Sequence, residues 1–141
     1  MQSNTICFYE DEYCVRSVIS KKDRHKVYRQ RHETFCQTLG WVPPTANGLE
    51  TDGYDPFAQS VGVFSARDEL LASFRAIPPD RPFMLETAFS ALLAPDYSVR
   101  KEADTTEITR FTTAPRLRER GFHPAHISTL LAQELHADVT V

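Results

Sequence analysis

The sequence has little of what marks several common functional classes. Its 16 basic residues are outnumbered by 19 acidic ones, a net charge of −3. A nucleic-acid binder shows a strong basic excess, so the balance gives no reason to expect that partner, and any positive patch must be local. The three cysteines, Cys7, Cys14 and Cys36, are odd in number and match no zinc or redox spacing. They read as reduced thiols in a cytoplasmic protein, with no metal site. No window approaches a membrane-spanning length, so no membrane insertion is expected. The start, MQSNTICFYEDEY, lacks the basic region and apolar run of a signal peptide. There is no glycine-rich phosphate loop and no GxSxG elbow. His123 and His126 flank Pro124, but no cysteine or carboxylate completes a ligand set. There is no internal repeat and no low-complexity tract.

The rest is ordinary globular material. Hydrophobic residues make up 41% and charged residues 25%, enough for a packed core. The length suits one domain spanning residues 1–141. Tyr13 to Ser20 is rich in β-branched and aromatic residues and reads as a strand. Ser20 and Asp23 form a helix-start pattern, and the helix is expected to run from Lys21 to about Leu39. Val27, Arg31, Phe35 and Leu39 recur at multiples of four and share a face. Gly40 ends that helix. An irregular stretch with Pro43, Pro44, Asn47 and Gly48 leads into the acidic run ETDGYD, which holds Glu50, Asp52 and Asp55.

Strands are then expected at Gln59 to Phe64 and Leu70 to Ile77, joined by a turn at Ala66 to Glu69. A helix at Glu86 to Leu93, a strand at Glu107 to Thr113 and a basic loop from Arg116 to Arg120 follow. A helix at Pro124 to Leu135 and a strand from Asp138 complete the pattern. The order implies an α/β fold, a mostly antiparallel sheet packed by helices.

One set of residues is unusual. Arg31, Arg75 and Arg110 interrupt apolar segments, and Asp52, Asp55 and Glu107 supply opposite charge. Surface ion pairs would explain them, with little energetic consequence. A polar cleft for a zwitterionic ligand would explain them too. Glu107 and Arg110 are three apart, so a regular strand sends them to opposite faces. Both can serve one site only if the strand carries a bulge.

These residues, with their spacing, resemble the acyl-homoserine-lactone (autoinducer) synthases. The pieces that carry the resemblance are RHETF, Trp41, ETDGYD, FRAIPP, PFMLETAF and EITRF, covering roughly Tyr28 to Thr112. The resemblance implies a fold like that of the GNAT N-acyltransferases. It implies acyl transfer from an acyl-carrier protein, or acyl-CoA, to the amine of S-adenosylmethionine. Lactone closure then releases methylthioadenosine, for quorum sensing. S-adenosylmethionine is a substrate, and no prosthetic group is implied.

By the same resemblance Glu107 and Arg110 are catalytic, with Glu107 the base that takes the amine proton. Arg31, Phe35, Trp41, Asp52, Asp55 and Arg75 hold S-adenosylmethionine, with core packing the alternative for Phe35. Met84, Leu85, Phe89 and Phe111 line the acyl chain, although core packing is the alternative for each. Arg116, Arg118 and Arg120 receive the carrier, or simply form a solvated loop. The family chain continues past this point, so the resemblance implies that its C-terminal part is absent here. A non-catalytic homologue and a related N-acyl amino acid synthase are the competing readings.

Overall fold

The computed structural model describes residues 5–118. They form a five-stranded antiparallel sheet in simple order: β1 (Cys7–Glu10), β2 (Tyr13–Ser17), β3 (Gln59–Phe64), β4 (Leu70–Ile77) and β5 (Glu107–Thr113). Helix α1 (Lys21–Arg31) and a long loop lie in the connection between β2 and β3.

Local chemistry explains the boundaries. The Ser20 hydroxyl accepts the amide of Asp23 at 3.1 Å, which caps α1 as the sequence predicts. Asp23 in the first turn and Arg29 and Arg31 in the last suit the helix dipole. The first expected strand ends at Ser17, which frees Val18 to Ser20 to lead into this cap. The short β1 has no counterpart in the sequence expectations; it pairs with β2 through a tight turn at Asp11 (φ 52°).

The long expected helix is not uniform. After Arg31 it becomes a π-helix over His32–Thr38, in which the Leu39 amide bonds back five residues to the Thr34 carbonyl. The wider turn breaks the spacing of four. Phe35 stays buried while Leu39 turns outward. Such π turns gather at functional sites. Gly40 closes the segment in the left-handed region (φ 64°), where a glycine has no Cβ penalty.

The sheet has two distinct faces. Val15, Val61, Val63, Ala72 and Phe74 form one core cluster, with Ile108 and Phe111 packed against it. The opposite face meets α1. There the Gln30 amide donates to the Thr112 hydroxyl at 2.9 Å, and Thr112 and Ser73 share a hydrogen bond of 3.0 Å. Gly62 pairs with Ser73, and a Cβ there would sit 2.7 Å from the Phe64 ring, which favours glycine.

Two further expectations change. Residues 86–93 do not form one helix. Short 3₁₀ turns occupy Met84–Glu86 and Ser90–Leu92, with Thr87 between them at φ −122°, ψ −86°, outside helical values. The expected basic loop opens instead as a short helix, α2 (Pro115–Arg118). Arg120, His123, His126, the expected helix from Pro124 and the expected strand from Asp138 lie outside the described residues. No helix among the described residues is long and apolar enough to cross a membrane.

Candidate functional site

The site is assembled where the end of α1, the acidic loop, β4 and β5 converge. Arg31 projects from the last turn of α1. Its Nε donates to Glu50 at 2.5 Å, and its two terminal nitrogens reach Asp55 at 2.7 and 3.2 Å. Arg75, from β4, donates to Asp52 at 2.5 Å, to Asp55 at 3.0 Å and to the Thr109 hydroxyl at 3.1 Å. Arg110, from β5, donates to Glu50 at 3.1 and 3.2 Å and to Asp52 at 3.1 Å. Each carboxylate bridges two arginines, and each arginine bridges two carboxylates. The ring is electrically balanced.

Burial makes this more than surface pairing. Arg31 and Arg75 are each 1% exposed and Glu50 is 2% exposed. A buried charge without a partner is strongly destabilising, so the members depend on one another. Each guanidinium also lies near an aromatic ring: Tyr28 for Arg31, Tyr54 for Arg75 and Phe35 for Arg110, at 5.3 to 5.5 Å. The surface-pair reading therefore fails for these three arginines.

The pKa directions follow from the same contacts. Burial alone would push the Asp55 carboxyl up. Hydrogen bonds and charge from Arg31, with help from the Asp52 amide and Arg75, outweigh it and hold Asp55 below the ordinary aspartate value. Burial opposes the charge on Arg31, but Asp55 and Glu50 overcome that and raise its pKa. Burial, and then the charge of Asp55, raises the Tyr28 hydroxyl and keeps it protonated.

The bulge required by the spacing of Glu107 and Arg110 is present. Thr112 pairs with Ser73 and Thr109 with Arg75, so β5 carries an extra residue opposite Phe74. Arg110 takes the strained turn at φ 55°. Thr109 and Arg110 consequently meet the same network, while Ile108 and Phe111 join the opposite core. A non-glycine residue in that conformation costs on the order of 1–2 kcal/mol. The ion pairs to Glu50 and Asp52 hold it there.

Glu107 is not part of the ring. Its two oxygens accept the amides of Met84 and Leu85 at 2.7 and 3.0 Å, anchoring the segment after β4. The third carboxylate is Glu50, which the charged set read from the sequence omits. Its signal was present in ETDGYD, but nothing in the spacing says which acid lies nearest the arginines. The Glu50 amide bonds to the Tyr28 carbonyl at 3.0 Å and docks this loop onto α1.

The remaining expected residues are dispersed. Trp41 stacks on Phe35 at 6.1 Å and is 71% exposed, so it offers an open aromatic face. Met84 is buried with Ile77 and Phe83, and its sulfur accepts from Arg75 at 3.2 Å. Phe111 stacks on Phe74 at 5.8 Å in the other core. Leu85 is half-buried and Phe89 is exposed. The four acyl-chain residues therefore do not share one cluster among the described residues. Arg116 is bound to Glu69 at 2.5 Å. A groove of about 610 Å³ opens beside the ring, lined by Arg24, Tyr28, Asp52, Asp55, Phe57 and neighbouring residues. Among the described residues no group of His, Cys, Asp and Glu could hold a metal ion.

The autoinducer synthase family model matches residues 16–132. The chain belongs to the autoinducer synthase family. One relative is an acyl-homoserine-lactone synthase of Pseudomonas fluorescens, 36% identical over 89 residues, 60% of this chain and 44% of that protein. The solved AHL synthase LasI has a TM-score of 0.72 at 20% identity, covering 87% of this chain and 66% of LasI. The CoA-dependent synthase BjaI, solved with SAM and isopentyl-CoA, has a TM-score of 0.61 at 22% identity, covering 70% of this chain and 47% of BjaI. The α/β, GNAT-like fold expected from the sequence agrees with this family. The chain spans about half the length of the curated relatives it matches.

Proposed function

We propose that this chain takes part in acyl-homoserine-lactone synthesis, transferring an acyl group to the amine of S-adenosylmethionine for quorum sensing. The observation that carries this reading is the buried ring of Arg31, Glu50, Arg110, Asp52, Arg75 and Asp55 in a member of the autoinducer synthase family. BjaI, a family relative, was solved with SAM.

S-adenosylmethionine brings an ammonium, a sulfonium and a carboxylate. Asp52, the most open acid of the ring, attracts the cationic end, and Arg110 faces the carboxylate. Arg31, Arg75 and Asp55 keep both aligned. Trp41, stacked on the buried Phe35, offers an aromatic surface to the adenosyl part.

The deprotonated amine attacks the thioester carbon of the acyl donor, and the thiol leaves. The proton lost by nitrogen passes to Glu107, directly or through water. A carboxylate has about four lone-pair positions, and the Met84 and Leu85 amides use only two. The methionine carboxylate then attacks the carbon attached to sulfur, closing the lactone and expelling methylthioadenosine. Met84, Leu85, Phe89 and Phe111 remain the proposed acyl-chain residues, and the donor is a carrier protein or CoA.

Mass spectrometry of the protein incubated with S-adenosylmethionine and acylated donors tests this. The expected products are an acyl-homoserine lactone and methylthioadenosine. Folded protein that yields no lactone from any donor overturns the reading.

A further inference from the structure

Helix α1 turns Asp23, Val27, Gln30 and Arg31 inward. Asp23 pairs with Arg16, and Arg31 belongs to the ring. Gln30 is uncharged and lies outside the ring. Its amide donates to the Thr112 hydroxyl, which shares a second hydrogen bond with the Ser73 hydroxyl. All three side chains are buried. Apolar side chains would join helix to sheet at a smaller desolvation cost, so a polar trio here calls for a further reason.

The trio spans the three elements that carry the ring's arginines. Gln30 precedes Arg31 on α1. Ser73 lies two residues before Arg75 on β4, and Thr112 two residues after Arg110 on β5. The bulge of β5 sits inside this frame. Arg110 and Phe111 together oppose Phe74, and the rungs on either side are Ser73–Thr112 and Arg75–Thr109. Each of these rungs is closed by a side-chain hydrogen bond, Ser73 to Thr112 at 3.0 Å and Arg75 to Thr109 at 3.1 Å. The first rung is tied to α1 by Gln30 at 2.9 Å.

The alternative register shows what the trio prevents. If the Thr112 rung slipped by one residue to continue the ladder from Arg75–Thr109, Phe111 would oppose Ser73 and Arg110 would oppose Phe74. Arg110 would lose its strained φ of 55°, and its side chain would turn to the opposite face, away from Glu50 and Asp52. That slip requires the Thr112 hydroxyl to leave both Ser73 and Gln30.

We propose that Gln30, Thr112 and Ser73 are positioning residues for S-adenosylmethionine binding. They pin the bulge of β5 against α1 and so keep Arg110 turned toward Glu50, Asp52 and the substrate carboxylate. The proposal rests on the acyl-transfer reading above. Hydrogen bonds suit this task because they fix direction as well as contact.

Calorimetry with S-adenosylmethionine gives the first readout. Thr112→Val keeps the shape and removes the hydroxyl; it is expected to raise Kd about fivefold, the worth of roughly one hydrogen bond. Gln30→Leu should raise Kd by as much or less. Thr112→Ser keeps the hydroxyl and should stay within about twofold of the parent. Val61→Ala opens a cavity in the opposite core and should also stay within about twofold at temperatures where it is folded. The second readout is the Arg110 side-chain Nε–Hε resonance in proton–nitrogen NMR spectra. It should move in Thr112→Val and Gln30→Leu and hold its place in Thr112→Ser and Val61→Ala.

A Thr112→Val Kd equal to the parent's overturns the proposal. So does an equal rise in Val61→Ala, which would mark general destabilisation, or in Thr112→Ser, which would mark shape and not hydrogen bonding. Where Thr112→Val does not fold, Gln30→Leu carries both measurements. If the parent binds no S-adenosylmethionine, the acyl-transfer reading fails, and the Arg110 resonance still decides whether the trio holds the bulge.

Discussion

The two ends of α1 are each tied to the sheet by arginines and carboxylates, and they differ in burial. At the first end Arg16 pairs with Asp23 and with Asp68, and Lys22 and Lys26 also reach Asp68. The Arg16 guanidinium lies 3.6 Å above the Phe64 ring. Hydrogen bonds from Arg16, Lys26 and Lys22 hold Asp68 well below the usual carboxylate range. Yet Asp68 and Lys22 are open to water, where ion pairs are screened and worth little. This end is a clip between a hairpin turn and a helix.

At the other end Arg31, Arg75 and Glu50 are almost fully buried, and only Asp52 and Arg110 keep partial access to water. Removing one member there leaves the ring with an uncompensated buried charge, which is far more damaging than losing an exposed pair. A fold has cheaper ways to join a helix to a sheet, as the first end shows. The buried ring therefore fits the substrate-binding role proposed above.

The largest effect expected from this contrast is that of Arg31→Ala. It takes one of two arginine partners from both Glu50 and Asp55, leaves the buried ring with an excess negative charge, and should cost about 3–5 kcal/mol in denaturant unfolding. S-adenosylmethionine binding should be lost with it. Unchanged stability and affinity would remove the distinction between the two ends. Glu50→Gln keeps the shape and removes one charge. It should cost about 1.5–3 kcal/mol, the range for a hydrogen bond to a charged group. A Glu107→Gln variant should cost less stability and chiefly slow lactone formation in single-turnover assays, because Glu107 stands outside the ring.

Acid offers an intermediate probe. The pKa of Asp55 is lower in the folded protein than in the unfolded chain. Its contribution to stability is therefore complete above the ordinary aspartate value of about 4. It is lost as pH falls from there through the depressed folded value. Asp55→Asn should flatten that part of the stability-against-pH curve; an unaltered slope would mean that Asp55 is not linked to folding. The smallest effect belongs to Asp68→Asn. Asparagine tolerates the φ of 62° at this turn, so the substitution isolates the charge. Its shift in denaturation midpoint should be slight at low salt and vanish at high salt, whereas the Arg31→Ala effect should persist.

Much of this molecule was legible beforehand. The cap at Ser20, the stop at Gly40, and the strands holding Arg75 and Arg110 follow from local rules of hydrogen bonding and side-chain alternation. The bulge was legible as a condition: Glu107 and Arg110 could not share a surroundings without one. The π turn was not, because a single extra residue per turn leaves the apolar spacing nearly unchanged until Leu39. Nor was the break of residues 86–93 into two short turns, since helical periodicity over eight residues carries little information.

By itself the sequence determined the cast: three arginines, an acidic loop, an aromatic pair, and the spacing that resembles one family. Only the tertiary structure decided the pairing. It put Glu50 in the ring and Glu107 under the amides of Met84 and Leu85. It also committed Arg116 to Glu69. The reason is physical. Spacing along a chain constrains neighbours within a turn or a strand. The contacts that hold the ring join residues 19 to 60 positions apart, and Coulomb energy depends on distance through space and on the exclusion of water.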